Sequence, residues 1–153
     1  MPLTSELRVG YLSDDVNVNL AAISAALFGT GIGGTYTPFH GEVVSADANA
    51  GVAFALYKAG VVAAYTLLGT EYVLITDVIL GVTTSGGPVV VCADADTAGL
   101  RVFTHPIPPA LGGWTEHLFP GHLCPVGVVP KLIAPAACGA VRSIIHGFII
   151  TPA

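Results

Sequence analysis

The chain has 153 residues, 53% of them hydrophobic and only 10% charged, with a formal net charge of −5. An ordinary soluble domain carries about 25% charged residues, so the polar cover here is thin and a partner has to take up part of the apolar surface. The five basic residues, Arg8, Lys58, Arg101, Lys131 and Arg142, are scattered singly; they offer no stripe for a phosphate backbone, which excludes nucleic acid as an expected partner.

The N-terminal stretch is polar and holds Glu6, Asp14 and Asp15. It lacks the charged-then-apolar start of a secretory leader and reads as an extended arm. Val16, Leu20, Ile23 and Leu27 then recur at helical spacing, with Asp14 or Asp15 as N-cap and Gly29 as a stop. This predicts one short helix over about 16–28. Gly29-Thr30-Gly31-Ile32-Gly33-Gly34 fits the letters of a dinucleotide fingerprint, but that site needs a strand before it and a helix after it. Here a helix-like run precedes it and Thr35-Tyr36-Thr37-Pro38 follows, so it reads as a hinge. Residues 1–34 are therefore expected to form an arm with its helix, and residues 35–153 a separate domain.

From residue 35 onward, apolar β-branched and aromatic runs alternate with Gly, Pro and Asp clusters. Strands are predicted at 35–39, 52–57, 61–68, 72–82, 89–93, 100–105, 114–119, 128–134 and 141–151, which points to an all-β sandwich or barrel. The apolar stretch 51–68 carries Lys58-Ala59-Gly60 near its middle, a hairpin turn rather than part of a membrane span. In 72–82, Tyr72, Leu74, Val78 and Leu80 fall on one face, and Val73, Ile75 and Ile79 on the other, interrupted by Asp77. In 141–151 one face holds Val141, Ile145 and Ile149, and the other Ile144, Phe148 and Ile150. A two-layer sandwich normally has one polar face. Two apolar faces call for an outer cover, most economically a second copy of the chain.

Little in the sequence points to catalysis. Asp94-Ala95-Asp96 begins like a calcium loop, but Ala98 and His105 stand where its later ligands belong. His117, His122 and Cys124 could be metal ligands either side of Pro120-Gly121, although the spacing matches no established set. His146, in the most apolar strand, reads as a core or interface histidine, and Trp114 as an anchor. Cys92, Cys124 and Cys138 are odd in number and contain no C-x-x-C pair. They read as small buried hydrophobes of a protein made in a reducing cytosol. The expectation is a non-enzymatic protein with no metal and no cofactor.

The stretch from about Gly60 to the C-terminus resembles the jelly-roll decoration, or cement, proteins encoded among the head genes of tailed bacteriophages. The residues that carry the likeness are Glu71 to Leu80 leading into a turn at Thr83 to Gly87, Val89 to Ala93, Gly113 to Phe119, Pro125-Val126-Gly127 and Ser143 to Phe148. The resemblance implies a jelly-roll β-sandwich that forms a homotrimer and binds the major capsid protein on the outside of an icosahedral head. The interface candidates are then Val16, Leu20, Ile23 and Leu27 on the helix and Ile144, His146, Phe148 and Ile150 on the last strand. Two other functions fit a small β domain of this kind: the trimeric head of a fibre or spike binding a receptor or glycan near Trp114, and a cupin-like metalloenzyme using His117 and His122.

Overall fold

The computed structural model describes residues 29–45, 51–82, 89–92, 101–105, 112–134 and 140–153, with the backbone alone of 45, 89–92 and 101–105. The expected arm up to residue 28 and the helix over 16–28, with Val16, Leu20, Ile23 and Leu27, lie outside these residues, as do Asp94, Asp96 and Cys138. The described residues contain no helix and form nine strands: β1 (Gly34–Ser45), β2 (Gly51–Ala53), β3 (Ala55–Lys58), β4 (Tyr72–Val82), β5 (Val89–Cys92), β6 (Arg101–His105), β7 (Gly113–Leu123), β8 (Lys131–Ile133) and β9 (Val141–Pro152). They build a five-stranded sheet in the order β3-β1-β9-β4-β7 and a four-stranded sheet in the order β2-β8-β5-β6. Every pairing is antiparallel. The described residues are all-β, as their strand-and-turn pattern predicts.

The central strand of the larger sheet is the last in the chain. β9 pairs along its whole length with β1, from Gly34↔Pro152 to Ser45↔Val141, and on its other edge with β4. Val141, Ile145 and Ile149 point from β9 into the core with Phe39 and Val43 of β1 and Leu132 of β8. Each such side chain, fully buried, contributes roughly 1.5–3 kcal/mol. Ser143 lies among them because its hydroxyl donates to the Ile79 carbonyl at 3.0 Å.

The strand expected over 52–57 is split. β2 belongs to the four-stranded sheet and β3 to the other, and the chain crosses between them at Phe54, which is buried and donates its N–H to the Pro130 carbonyl. The strand expected over 61–68 does not form. After the turn at Ala59-Gly60 the chain makes one bridge, Leu56↔Tyr65, and is then held by side-chain chemistry. The Glu71 carboxylate is 1% exposed and gathers four donors. The Tyr65 hydroxyl lies 2.9 and 2.8 Å from its two oxygens, the Leu68 N–H donates at 3.0 Å, the Thr151 hydroxyl at 2.8 Å and Lys58 Nζ at 3.4 Å. Lys58 also sits over the Tyr65 ring, 4.6 Å from its centre. An irregular connector is thereby tied to β3 and to the end of β9. No helix among the described residues is long and apolar enough to cross a membrane.

β4 has the predicted bounds but not the predicted faces. Its register shifts between Ile75 and Asp77 against both neighbours: Thr76 is the extra residue of a bulge against β9, while residues 118–121 of β7 leave the ladder opposite it. One extra residue reverses the alternation. Val73 and Ile75 therefore share the core with Val78, Leu80 and Val82, while Leu74 and Asp77 belong to the opposite face. β9 accommodates the bulge with a glycine. A Cβ on Gly147 would overlap the Leu74 carbonyl oxygen, whereas one on Gly81 would meet nothing within 4 Å.

Two predictions follow from these contacts. Gly147→Ala should destabilise the fold by roughly 3 kcal/mol or more, since the clash is with backbone, while Gly81→Ala should leave it nearly unchanged; thermal melts of the pair decide this. Burial alone would raise the pKa of Glu71, but the Leu68 N–H, Tyr65, Thr151 and Lys58 outweigh it and hold the carboxyl below its ordinary value of 4.5. A depressed carboxyl contributes stability above its unfolded pKa and loses it as pH falls through the folded one. Glu71→Gln should therefore lower stability by roughly 2–4 kcal/mol at neutral pH and flatten the acid limb of the stability curve. An unchanged acid limb would show that Glu71 is not the group involved.

Candidate functional site: the outer face of the five-stranded sheet

Successive residues of a strand point to opposite sides of the sheet, so the register defines which side chains share the face turned away from the core. Across that face the partners fall into rows. Tyr36, Ile150 and Tyr72 form the first, and Pro38, Phe148, Leu74 and Leu123 the second. The third crosses all five strands: Tyr57, His40, His146, Asp77 and His117. The fourth holds Ala55, Glu42, Ile144, Ile79 and Thr115, and the fifth Val44, Arg142, Gly81 and Gly113.

The rows differ in cover. In the first two, Leu74 and Ile150 are fully buried although they lie outside the core cluster. The Tyr36 ring meets Phe148 edge-on at 6.2 Å, and its hydroxyl donates to the Ile32 carbonyl at 2.8 Å and lies 2.6 Å from the Thr30 hydroxyl. The segment leading into β1 thus folds back over this end of the face. The last two rows are open. Val44 is 55% exposed and Ile144 37%, beside a shallow depression of about 430 Å³ that Glu42, Ala55 and Arg142 also line. Ile144 is thus left open in mid-sheet, between Glu42 and Ile79, and Val44 is open beyond the end of the β1–β3 pairing.

The third row is a polar line between these halves. The Asp77 carboxylate meets His117 Nδ1 through one oxygen and accepts the Thr76 hydroxyl at 2.7 Å through the other. Burial would raise the Asp77 pKa, but the Thr76 hydroxyl, the His117 hydrogen bond and the charges of His117 and His146 together hold it below the ordinary carboxylate range. At the other end His40 stacks on Tyr57, with ring centres 4.9 Å apart and planes 14° apart. A depression of about 270 Å³ lies beside it, lined by Pro38, Tyr57, Ala59 and both His40 and His146.

Ile144, His146, Phe148 and Ile150 do share one face, as the alternation in 141–151 predicts, but only Ile144 and His146 are exposed there. His117, His122 and Cys124 do not converge. His117 stands opposite Asp77 on the outer face, and His122 opposite Ile75, a core position. Burial pushes the His122 pKa down, and Cys124 is itself part of the core. β7 runs past the predicted strand end at 119 through the cis Phe119–Pro120 bond to Leu123, so the two histidines lie apart along one strand. Among the described residues no group of three His, Cys, Asp or Glu is placed to hold a metal. The glycine run at 29–34 leads into β1 rather than into a helix, so the dinucleotide arrangement is not formed. Trp114 is 43% exposed on the edge strand β7, its indole N–H donating to Glu116 at 3.2 Å.

No family model, curated protein or solved structure matches the chain.

Burial raises the Cys124 thiol pKa to about 12, so at neutral pH it carries essentially no thiolate. In a Cys92→Ser, Cys138→Ser background Cys124 should resist a maleimide in the native state and react fully once unfolded. Rapid native labelling would contradict its place in the core.

Proposed function

We propose that this chain is a jelly-roll structural protein of a virion, a homotrimeric decoration protein that binds the outside of an icosahedral phage head and cements neighbouring capsid subunits. Topology supports the jelly roll. With the short β3 set aside, the sheets run β1-β9-β4-β7 and β2-β8-β5-β6, four strands each, with the first and last strands adjacent in one sheet. That order is what an antiparallel ribbon gives when it wraps round a core as two Greek keys, and viral capsid and lectin domains and cupins share it.

The observation that carries the function is the open half of the outer face. Ile144 sits in the interior of the sheet, with Val44 diagonal to it on β1, and both expose apolar surface in a chain with only 10% charged residues. Such a surface fits another protein: first a copy of the same chain, then the capsid. A standard contact of about 1,600 Å² suffices for a stable interface, and many copies on one shell act with avidity. The N-terminal arm, with Val16, Leu20, Ile23 and Leu27, makes the contact with the major capsid protein. The work done is added buried area, without catalysis. The exposed Trp114 and Phe119 on β7 favour a second reading, a fibre head that binds a receptor or glycan at that edge.

Light scattering at micromolar concentration should give about three times the chain mass of 15.5 kDa. Ile144→Asp should shift the protein towards monomer with its circular dichroism unchanged, because the side chain is not in the core. Deletion of residues 1–29 should leave the trimer but weaken co-sedimentation with heads of the virus that encodes it. A wild-type monomer would overturn the trimer, and full binding by the truncated chain would overturn the role of the arm.

A further inference from the structure

We propose that His40 and His146 form a two-ligand clamp for a late first-row divalent cation such as Zn²⁺, Ni²⁺ or Cu²⁺. The inference rests on register and ring placement, and does not depend on the capsid reading. His40 of β1 and His146 of β9 are direct partners across one antiparallel pair. Directly opposed residues project to the same side with Cβ atoms about 4.5–5.5 Å apart. Zinc takes imidazole nitrogens at 2.0–2.1 Å, so two ligands of a tetrahedral ion lie about 3.3 Å apart. Two imidazoles leaning together from opposed positions span that gap.

The platform is rigid. β9 is the central strand, and β1 is paired on both edges, with β3 and with β9. His40 is set by its stacking on Tyr57, which fixes the ring plane before any ion arrives. On the other side of His146 stands Asp77, its carboxylate occupied by His117 and Thr76. Asp77 thus supplies negative potential without being a third ligand. Both histidines are exposed, and the depression of about 270 Å³ that they share leaves room for the waters that complete the coordination shell. Imidazole donors suit Zn²⁺, Ni²⁺ and Cu²⁺, whereas Mg²⁺ and Ca²⁺ require oxygen ligands. This departs from the expectation of a chain without metal; the partners at 40 and 146 are separated by most of the sequence.

The test uses the full chain labelled with ¹⁵N and titrated with substoichiometric Cu²⁺, whose paramagnetism broadens nearby amides. The amides of His40, Gly41, His146 and Gly147 should broaden first. His40→Asn and His146→Asn should each abolish that selectivity and weaken binding by about tenfold or more, at least the effect of losing a supporting residue around a metal site. His122→Asn, a histidine opposite Ile75 and outside this row, should leave both unchanged. Spectra recorded without metal establish that each variant is folded, and the wild-type titration is decisive by itself. Broadening centred on His117, on a cysteine or on the N-terminus, or selective broadening that survives loss of either His40 or His146, would overturn the proposal.

Discussion

A strand that is apolar on both sides stays soluble only if both its edges are paired and both its faces are covered, and β9 meets only part of that requirement. Its edges are taken by β1 and β4 over nearly its full length. Its inner side chains, Val141, Ile145 and Ile149, are fully buried. On the outer side Ile150 is buried, Phe148 is half-buried and Ile144 is open. The strand in the middle of the sheet therefore passes from a covered end to an uncovered one. The rest of the molecule is arranged around that gradient. The segment at 30–32 covers one end, the histidine row crosses the middle, and the far end is open.

The bulge at Thr76 couples the two faces. Without it Asp77 would stand on the core side of β4 and Val78 on the outside. With it, Val78, Leu80 and Val82 complete the core, and Asp77 joins His146 and His117 on the outer surface. Gly147 is the matching concession on β9, where the two backbones come too close for a side chain. A polar row on this sheet is thus a consequence of one extra residue in one strand.

Much of the fold was legible in the sequence because it depends on local signals. The run from Tyr72 to Val82 reads as a strand with the bounds it has, and the alternation from Val141 onward assigns both faces of β9 correctly. What failed depends on partners distant in the chain. Residues 61–68 have the composition of a strand, but among the described residues only Tyr65 finds a bridge partner, and Glu71 draws Tyr65 and Leu68 into a carboxylate knot instead. The break at Phe54 reflects a change of sheet, which no local pattern records. The histidine row was not legible, because its members lie at 40, 57, 77, 117 and 146 and meet only through the registers of four strand pairs. His146 drew notice singly, as an interface residue, while His40 and Tyr57 gave no signal of their own.

The central claim is that the open half of the outer face is a contact surface, occupied when copies of the chain associate. Hydroxyl-radical footprinting at micromolar concentration tests it at residue level, with each rate divided by that of the same peptide after unfolding. Val62 is 100% exposed and Phe119 84% in the single chain, and both should be modified freely. Val44 and Ile144, at 55% and 37%, should be strongly protected beyond what those values imply. Rates for Val44 and Ile144 that simply follow their single-chain exposure would contradict the account.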